Sequence, residues 1–438
     1  MRKVLWQALL LAVVTVTVPR LALAQNYPRP EFTRGERFPE ITTPSPRAEI
    51  FSYVDGAVLL GTLLLAAFLV IKLRQRTAIF WLAVFSIAYF GFYRHGCVCS
   101  VGAIQNVAQA LGGNGYELPL IVGVFFLLPL LAAIFVGRVF CSGVCPLGAI
   151  QEVLLLRPVK VPAWLDGVLG LLPFIYLGGA VLFAVKASSF IICRYDPFIL
   201  FYRLGGSMWM LLAGVVLLLA STVVGRPYCR YACPYGVLLR WLAPLSAWRP
   251  RITPKQCVNC SLCAEACPYG AIQAPTPVGE RFDRRAGRRQ LLWLLVALPV
   301  IVAVGAGMMR LSSTMLARVD PTVRLAERVY LEEKGLVQGT TLATEAWANR
   351  GILNSELYAE AVGIQKWYDL GSWFFGGWIG LVFGLKLIGT AIRRRRETYQ
   401  IDVGACVGCG RCFSVCPLDR EVPVSENETG AISSAGTG

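Results

Sequence analysis

Two cysteine runs with identical spacing constrain this chain more than any other feature of its sequence. They lie at residues 257–268 and 406–417, and each has the pattern Cys-x-x-Cys-x-x-Cys-x-x-x-Cys-Pro. Cysteines this close together either bind a shared metal centre or pair as disulfides. Disulfides belong to oxidising compartments and small loop-rich domains, whereas both runs here lie beside basic segments typical of the cytoplasm. The runs are therefore predicted to bind metal.

The spacing also predicts how the two runs combine. Bacterial two-cluster ferredoxins use this pattern for 4Fe-4S clusters, and the fourth cysteine of each run ligates the cluster of the other run. The predicted ligands of the first cluster are Cys257, Cys260, Cys263 and Cys416, and those of the second are Cys406, Cys409, Cys412 and Cys267. Structural zinc is the alternative. Because one spacing occurs twice, we expect two 4Fe-4S clusters in a split bacterial-type ferredoxin module.

The composition of the chain predicts a membrane protein. Of its 438 residues, 56 % are hydrophobic and only 16 % are charged, and the mean hydropathy is +0.58. Soluble domains carry about 25 % charged residues, so the expected fold class is mainly α, a polytopic helical protein of the bacterial cytoplasmic (inner) membrane. The net charge of +16 comes largely from basic clusters beside apolar runs, as at 72–76 and 393–396. Such clusters set membrane orientation, so no nucleic acid partner is expected.

The N-terminal residues are typical of an export signal. Two basic residues precede an apolar stretch at 4–18, and an Ala-Leu-Ala sequence then matches a cleavage site. We predict a signal peptide over residues 1–24, with an uncleaved anchor as the alternative. Residues 25–50 are rich in Pro, Arg, Glu and Thr and are expected to form an exported extended segment.

Apolar segments in the rest of the chain predict about seven spans. Basic residues place the ends of the first, third, fifth and seventh segments in the cytoplasm. Both halves of the ferredoxin module are then cytoplasmic, although a hairpin of two spans separates them in sequence. The predicted segments are 56–71, 77–93, 118–137, 167–185, 204–225, 291–309 and 371–391.

This pattern divides the chain into a membrane core and a module that two spans interrupt. Residues 310–370 are polar and helix-compatible, and they are predicted to form an exported loop or a small helical domain. The predicted parts are residues 51–245 for the five-span core, 246–290 for the first ferredoxin half, 291–309 for span six, 371–392 for span seven, 393–425 for the second ferredoxin half and 426–438 for a disordered tail.

Seven further cysteines occur at the ends of spans, in surroundings that repeat. Residues 77–157 and 168–245 resemble two copies of one unit, each with cysteine at its exported end and a Cys-x-x-x-Cys-Pro motif at its cytoplasmic end. Parallel repeats commonly meet at a pseudo-two-fold axis, which would bring the two motifs together. The motifs are therefore predicted to form a third iron–sulfur or tetrahedral metal site, with a redox-silent thiol pair or a half-helix cap as the alternative. These inner cysteines are Cys141, Cys145, Cys229 and Cys233.

The exported ends of the two units supply a smaller set. The outer cysteines are Cys97, Cys99 and Cys193, and either His95 or Asp196 could complete a metal site with them. A metal site here, stacked on the inner one, would create an electron path across the bilayer. A set without metal is the alternative, with His95 as an interfacial polar residue.

Other electron carriers have little support in the sequence. One histidine cannot supply the paired axial ligands of haem b, and no Cys-x-x-Cys-His motif for haem c is present. Thr341 and Thr344 lie in a stretch faintly similar to a flavin-attachment box, but the order of residues favours an ordinary helix N-cap ahead of Glu345. Glycine fingerprints for nucleotide binding are absent.

Taken together, the spans, the two Cys-x-x-x-Cys-Pro motifs and the ferredoxin runs resemble the NosR/NapH group of polyferredoxin-like membrane proteins. The resemblance covers roughly residues 77–270 and the C-terminal run. It implies electron transfer between the quinol pool or a cytoplasmic donor and an exported reductase or flavoprotein. No large exported flavin-binding domain precedes the spans, so a separate flavoprotein is the expected partner.

The leading hypothesis is therefore a membrane electron-transfer subunit of an oxidoreductase system. The alternative is a redox-sensing regulatory or assembly factor for an exported metalloenzyme. A metal-ion reductase or transporter is less favoured, because such proteins carry ionisable residues within their spans. Here the spans are nearly free of charge apart from Lys386.

Overall fold

Helices dominate the computed structural model, so the prediction of a mainly α protein is confirmed. The structure describes residues 48–96, 99–113, 115–186, 188–203, 207–250, 257–277, 284–392 and 395–417. The predicted signal peptide, Cys97 and the predicted disordered tail lie outside the described residues, as does most of the predicted exported extended segment.

The described helices and strands are numbered in chain order. They are α1 Glu49–Phe68, α2 Arg76–Ser86, α3 Ser100–Leu111, α4 Leu120–Val136, α5 Pro146–Leu154, α6 Ala163–Leu169, α7 Leu172–Val185, α8 Ile191–Tyr195, α9 Ile199–Arg203, α10 Met208–Ser221, α11 Pro227–Tyr231, α12 Pro234–Leu242, α13 Leu262–Ala266, β1 Ile272–Gln273, α14 Arg284–Leu311, α15 Ser313–Ala317, α16 Pro321–Glu333, α17 Leu342–Ala348, α18 Asn354–Ala391, β2 Gln400–Ile401 and α19 Arg411–Val415. Wider π-helical turns at Leu69–Leu73 and Ile87–Tyr93 extend α1 and α2, and a third lies at Phe140–Val144.

Five helical stretches among the described residues are long and apolar enough to cross a membrane. They are Glu49–Leu73, Arg76–Tyr93, Ala163–Val185, Arg285–Leu311 and Asn354–Ala391. The helices α4 and α10 are apolar but shorter. Each of the seven predicted segments overlaps one of these seven helical stretches, and the number of spans stays a prediction because two of them fall below span length. The last stretch begins at Asn354, well before the predicted span, because the polar residues ahead of the span continue the same helix.

Glycines let the two longest helices, α14 and α18, approach closely. A Cβ atom added to Gly376 would lie 2.7 Å from Met309 Cβ, and one added to Gly380 would lie 2.7 Å from the carbonyl oxygen of Ile301. Both separations are too short for a real side chain. The two glycines stand four residues apart, as in the small-xxx-small pattern that packs membrane helices. This pair of helices is the hairpin that interrupts the ferredoxin module in sequence.

Short helices fill the space between the spans of the membrane core. Helix α3 packs against α4 and α7, α5 packs against α2, and α12 packs against α7 and α4. Proline occupies the first position of α5 and of α12, where its missing N–H has no intrahelical partner to lose. The residues just before these three helices are Cys99, Cys145 and Cys233. The bundle thereby holds these cysteines at the starts of short internal helices.

An ion pair joins the first two spans at the end that carries the loop to α3. Asp55 is fully buried in α1, and its Oδ2 lies 2.9 Å from Nη2 of Arg94. The hydroxyl of Tyr89 donates to Oδ1 of the same carboxylate at 2.9 Å. A charge inside a span needs such partners. The pair anchors Arg94 and therefore the chain that enters the outer cysteines.

The two ferredoxin halves form one unit despite the helical hairpin between them. Strand β1 pairs antiparallel with β2, with Ile272 opposite Ile401 and Gln273 opposite Gln400. Helix α13 of the first half packs against α19 of the second. Both halves of the module consequently lie at the same end of the membrane bundle.

A second, smaller hydrophobic core lies in the predicted exported segment and the ends of two spans. It contains residues of α15, α16 and the N-terminal part of α18, packed against Leu182 and Phe183 of α7. Thr341 caps α17, and its side chain accepts from the backbone N–H of Thr344, as the sequence predicted for an ordinary helix start. This part of the chain is thus a compact helical unit resting on the membrane core.

Candidate iron–sulfur centres

The ferredoxin module brings cysteines of the two runs together. Cys267 of the first run interacts electrostatically with Cys406 and Cys412 of the second. Cys263 interacts with Cys257 and Cys260 of its own run. Crossed ligation requires such an exchange of the fourth cysteine, and the full ligand sets remain a prediction.

Burial makes these thiols weak acids when no metal is bound. It raises the pKa of Cys406 to about 11 and that of Cys409 to about 12. Iron binds the thiolate, so cluster binding at neutral pH must release protons from these side chains. The thiols therefore need a strongly bound cation to become charged.

The inner cysteines form one group around the starts of α5 and α12. Cys145 interacts electrostatically with Cys141, Cys229 and Cys233. Cys141, Cys145 and Cys233 are buried, and Cys229 is half-buried. Thiolates are good ligands of iron–sulfur clusters and of zinc. The structure thus joins two Cys-x-x-x-Cys-Pro motifs that are far apart in sequence.

Two arginines, each after a glycine at the end of an apolar helix, surround the inner cysteines. Arg226 is 1 % exposed and donates to the carbonyl oxygens of Cys141 and, at 2.9 Å, of Ser142. Arg138 places Nη2 4.0 Å from Cys141 Sγ and donates through Nη1 to Gly404 O at 2.8 Å. Both guanidinium groups therefore add positive charge beside a set of thiols, which favours bound thiolates.

Gln151 contacts the same group from α5. Its Nε2 donates to Cys229 Sγ at 3.4 Å and to Leu147 O at 2.7 Å, and its Oε1 accepts from the backbone N–H of Tyr228 at 3.0 Å. The side chain is fully buried. One amide therefore fixes the backbone ahead of Cys229 and supplies a hydrogen bond to its sulfur.

Glu152 connects the inner cysteines to both halves of the ferredoxin module. Its Oε2 lies 3.2 Å from Nε of Arg226, and its Oε1 accepts from Nη2 of Arg411 at 3.0 Å. The hydroxyl of Tyr269, two residues after Cys267, also donates to Oε2. Burial alone would raise the pKa of Glu152, but the two guanidinium groups hold that pKa below its usual value. The carboxylate is thus the charged centre of a network that spans three segments.

The outer cysteines are only partly described. Cys99 is half-buried and Cys193 is exposed, and Cys99 interacts electrostatically with Cys193 and with buried Asp196. Cys97 lies outside the described residues. Cys99 also interacts with Cys145 and Cys233 of the inner group. The sequence placed the two sets at opposite ends of the spans, whereas the short helices bring Cys99 into the electrostatic environment of Cys145 and Cys233.

His95 lies on the outside of the loop that leads to the outer cysteines. Its ring is exposed, and Nδ1 lies 3.3 Å from the carbonyl oxygen of Tyr202. Its backbone has a φ of 51°. Asp196, by contrast, is 4 % exposed and acts on Cys99. Of the two candidate fourth ligands, only Asp196 is described as a neighbour of an outer cysteine.

Single-ion sites are not found in the described part of the chain. No group of three or more His, Cys, Asp or Glu side chains there is close enough to hold one metal ion. A four-iron cluster is a larger body, and it takes its thiolates at separate corners.

Sequence reasoning missed the polar residues that organise these cysteines. Arg226, Glu152, Gln105 and Gln151 were not predicted as site residues. The signals were nonetheless present, because Gly-Arg ends two apolar helices and Gly-Ala-Ile-Gln follows Cys99 and Cys145 alike. These repeats were visible, but their contacts depend on which helices meet.

Two family models for 4Fe-4S binding domains match the chain. The Fer4_5 model matches residues 118–163 and 207–253, which contain all four inner cysteines. The Fer4 model matches residues 250–273 and 399–419, which contain the two cysteine runs. The chain therefore carries 4Fe-4S binding domains, and the outer cysteines lie outside every matched range.

Curated relatives share these segments. YccM of Escherichia coli, which its name assigns to electron transport, is 30 % identical over 153 residues, 31 % of this chain and 43 % of that protein. The regulatory protein NosR of Pseudomonas aeruginosa is 32 % identical over 221 residues, 46 % of this chain and 30 % of NosR. These matches make the chain similar to NosR/NapH-type ferredoxin-like proteins. NirI of Paracoccus denitrificans is 28 % identical over 203 residues, 43 % of this chain and 30 % of NirI.

The resemblance predicted from the sequence is thereby confirmed. The chain spans less than half the length of YccM, NosR and NirI. No solved structure matches the chain.

Proposed function

We propose that this chain is a membrane-bound iron–sulfur electron-transfer protein. It passes electrons between a cytoplasmic or quinol donor and an exported flavoprotein or reductase. Three findings support the proposal: the apolar helices of span length, the matches to 4Fe-4S binding domains, and the electron-transport name of a relative. The ferredoxin module would hold two 4Fe-4S clusters, and the inner cysteines would hold a third centre.

The observation that carries the proposal is the contact between the module and the inner cysteines. The side-chain amide of Gln151 on α5 donates to Cys229 Sγ. Glu152 is the next residue, and its carboxylate accepts from Arg411 and Tyr269 of the module. Arg411 lies between Cys409 and Cys412 in the second run. A single buried ion-pair network therefore holds two sets of candidate ligands side by side, as electron transfer between them requires.

The inner cysteines and their surroundings fit an iron–sulfur cluster. Four thiols surround the inner position, with two arginines to balance their charge and one amide N–H directed at a sulfur. When bound, an iron–sulfur cluster accepts and donates single electrons at a potential set by net charge, hydrogen bonds to sulfur and solvent exposure. The chain supplies all three of these influences, and it excludes water from most of the inner cysteines.

We place the ferredoxin module on the cytoplasmic side of a bacterial inner membrane. The basic segments beside the predicted spans support this orientation. The helical unit of α15 to α17 would then lie on the exported side, where a flavoprotein or reductase could dock.

A regulatory or assembly role is the second candidate function. The relative NosR is named a regulatory protein. A chain of that kind would use its clusters to sense redox state or to support maturation of an exported metalloenzyme, and it would not need to sustain electron flux.

Metal content tests the proposed centres. The protein is purified anaerobically, and iron, acid-labile sulfide and the EPR spectrum after reduction are measured for the wild type, Cys141→Ser/Cys229→Ser and Cys409→Ser. We expect the first variant to lose about four irons and one EPR signal while the module signals remain. Cys409→Ser is the matched control and should lose a module signal instead. Equal iron in the wild type and in the first variant would exclude an inner centre.

Electron flux separates transfer from sensing. The protein is reconstituted into sealed vesicles with a membrane-impermeant oxidant inside and an impermeant reductant outside. Wild type is expected to reduce the trapped oxidant, and Cys141→Ser/Cys229→Ser is expected to fall to the rate of empty vesicles. A fully loaded wild type with no flux above empty vesicles would favour the regulatory or assembly role.

A further inference from the structure

The segments that begin at Cys99 and Cys145 share both sequence and local structure. Six positions after each cysteine stands a glutamine, in Cys-Ser-Val-Gly-Ala-Ile-Gln and Cys-Pro-Leu-Gly-Ala-Ile-Gln. Each cysteine has an extended backbone and directly precedes a short helix, α3 or α5. The chain opposite each segment reads Cys-Arg-Tyr, beginning at Cys193 or at Cys229. Two equivalent half-sites therefore face two equivalent partners.

The contacts between the Cys99 and Cys193 segments are equivalent to those between the Cys145 and Cys229 segments. Oε1 of Gln105 accepts from the backbone N–H groups of Ile192 and Cys193, at 2.9 and 3.2 Å. Oε1 of Gln151 accepts from the residue just before Cys229, as described above. A Cβ atom on Gly102 would lie 3.2 Å from Cys193 Sγ, and one on Gly148 would lie 3.6 Å from Cys229 Sγ. Cys99 and Cys193 are thus held in the same way as Cys145 and Cys229.

One atom differs between the two arrangements. Nε2 of Gln151 donates to a cysteine sulfur, whereas Nε2 of Gln105 is buried and has no hydrogen-bond partner among the described residues. Gln105 is 0 % exposed. A buried donor without an acceptor is destabilising, and a bound ion or group that supplies the acceptor is one recognised reason for such a donor. Its position beside Cys193 points to a bound group that offers an acceptor there.

Asp196 occupies the position that corresponds to Cys233. The two segments read Cys-Arg-Tyr-Asp-Pro from Cys193 and Cys-Arg-Tyr-Ala-Cys-Pro from Cys229, so each residue directly precedes a proline. The Asp196 segment has one residue fewer after Cys-Arg-Tyr. Asp196 is buried and acts electrostatically on Cys99, and its Oδ1 accepts from the backbone N–H of Phe198 at 2.9 Å. Buried carboxylates are normally paired or bound to metal. A carboxylate therefore stands where the inner set has a thiol.

We propose that Cys99, Cys193 and Asp196 bind a further iron–sulfur cluster, with Gln105 as a positioning residue that donates a hydrogen bond to a cluster or cysteine sulfur. These three ligands are called the outer site. The site lies beside the inner cysteines, because Cys99 acts on both Cys145 and Cys233. Its mixed ligand set distinguishes it from the thiolate-only sets, and the exposed Cys193 gives it one face open to a partner.

Ligand variants of the full-length protein test the outer site. Iron, sulfide and EPR spectra of the reduced protein are compared for wild type, Cys193→Ser/Asp196→Ala and Asp196→Cys. The double variant is expected to lose about four irons and one EPR signal, with the inner and module signals retained as proof of folding. Asp196→Cys should keep the iron and shift the g values of that one signal. Unchanged iron and an unchanged spectrum in the double variant would overturn the proposal.

Gln105 provides a second test, which does not depend on the folding of the ligand variants. Gln105→Leu removes the donor, and Gln105→Glu keeps the acceptor alone. Both variants are expected to lower the midpoint potential of the outer signal only, because a hydrogen bond to sulfur stabilises the reduced cluster. Gln365→Leu, at an exposed position of α18, is the matched control. If the outer signal keeps the wild-type potential in both Gln105 variants, Gln105 is not a positioning residue. If neither the wild type nor any variant shows an outer signal, the outer site does not exist.

These measurements also separate this inference from the proposed function. Loss of the outer signal is read from iron and EPR, so it does not require electron flux. If the wild type shows the outer signal but carries no electron flux, the outer site is supported and the proposed electron-transfer function is contradicted.

Discussion

The ferredoxin module and the inner cysteines gather thiolates in two different ways. In the predicted ligand sets of the module, each run supplies three cysteines from one short stretch, and the other half supplies the fourth. The inner set takes Cys141 and Cys145 from one unit and Cys229 and Cys233 from another, and it relies on Arg226 and Gln151 to fix their backbones. Local spacing therefore builds most of the first kind of site, and helix packing builds the second.

This comparison predicts that the inner set depends more strongly on buried polar residues. Loss of a network residue should disturb the inner centre first, whereas the module should tolerate it. The following variants test that difference, from the largest expected effect to the smallest.

Glu152→Gln should have the largest effect. It leaves Arg226, which is 1 % exposed, without its charged partner. Breaking a buried ion pair from one side costs about 3–5 kcal/mol, so the free energy of unfolding in detergent should fall by that order. Glu327→Gln is the control, because its pair with Arg318 is exposed and worth less than about 1 kcal/mol. Equal losses in the two variants would contradict a special role for the network.

Arg226→Lys should follow. Lysine keeps the charge but loses the planar fork that bonds to Cys141 O, Ser142 O and Glu152 together. The expected cost is about 1.5–3 kcal/mol, with faster loss of the inner EPR signal on exposure to air. The module signals should decay at the wild-type rate, and Arg318→Lys should change nothing. Simultaneous decay of all signals would mean that the two regions are not separable.

Gln151→Leu should have a smaller effect on stability and a specific effect on potential. It removes the N–H donated to Cys229 Sγ and the acceptor for Tyr228 N. We expect a cost of about 1–2 kcal/mol and a lower midpoint potential for the inner centre alone, measured by redox titration with EPR. A shift of the module potentials instead would contradict the assignment of the Gln151 amide to the inner centre.

Thr341→Ala should have the smallest effect. This N-cap lies in the helical unit of α15 to α17, outside the ranges that match 4Fe-4S binding domains. Its loss should cost about 1 kcal/mol, seen as faster hydrogen exchange in α17, with iron content unchanged. Any loss of iron would show that this unit supports a centre.

Much of the molecule could be predicted from the sequence. The helical class and the position of each apolar segment followed from hydropathy, because a span must be apolar along its whole length. The seventh span was the least well bounded, since helix α18 begins at Asn354 and carries polar residues before the apolar ones. The sequence predicted a helix start with Thr341 or Thr344 as its N-cap, and Thr341 is the cap, because a cap depends on residues only three positions apart.

The polar network around the inner cysteines could not be predicted in the same way. Glu152 contacts Arg226, Tyr269 and Arg411, which come from three distant segments. Sequence showed that Gly-Arg and Gly-Ala-Ile-Gln recur, but it did not show what their side chains bond to. The choice of Asp196 over His95 at the outer site likewise depends on burial, which only the packed loop determines.

The sequence by itself determined the ligand chemistry and the membrane character of this protein. Cysteine spacing and apolar length act over a few residues or along one helix, so they can be recognised without knowledge of the fold. The tertiary structure decided which cysteines meet and which polar side chains surround them. Those contacts join segments separated by whole spans, and the physical reason is that a buried charge or amide is stable only where packing brings it a partner.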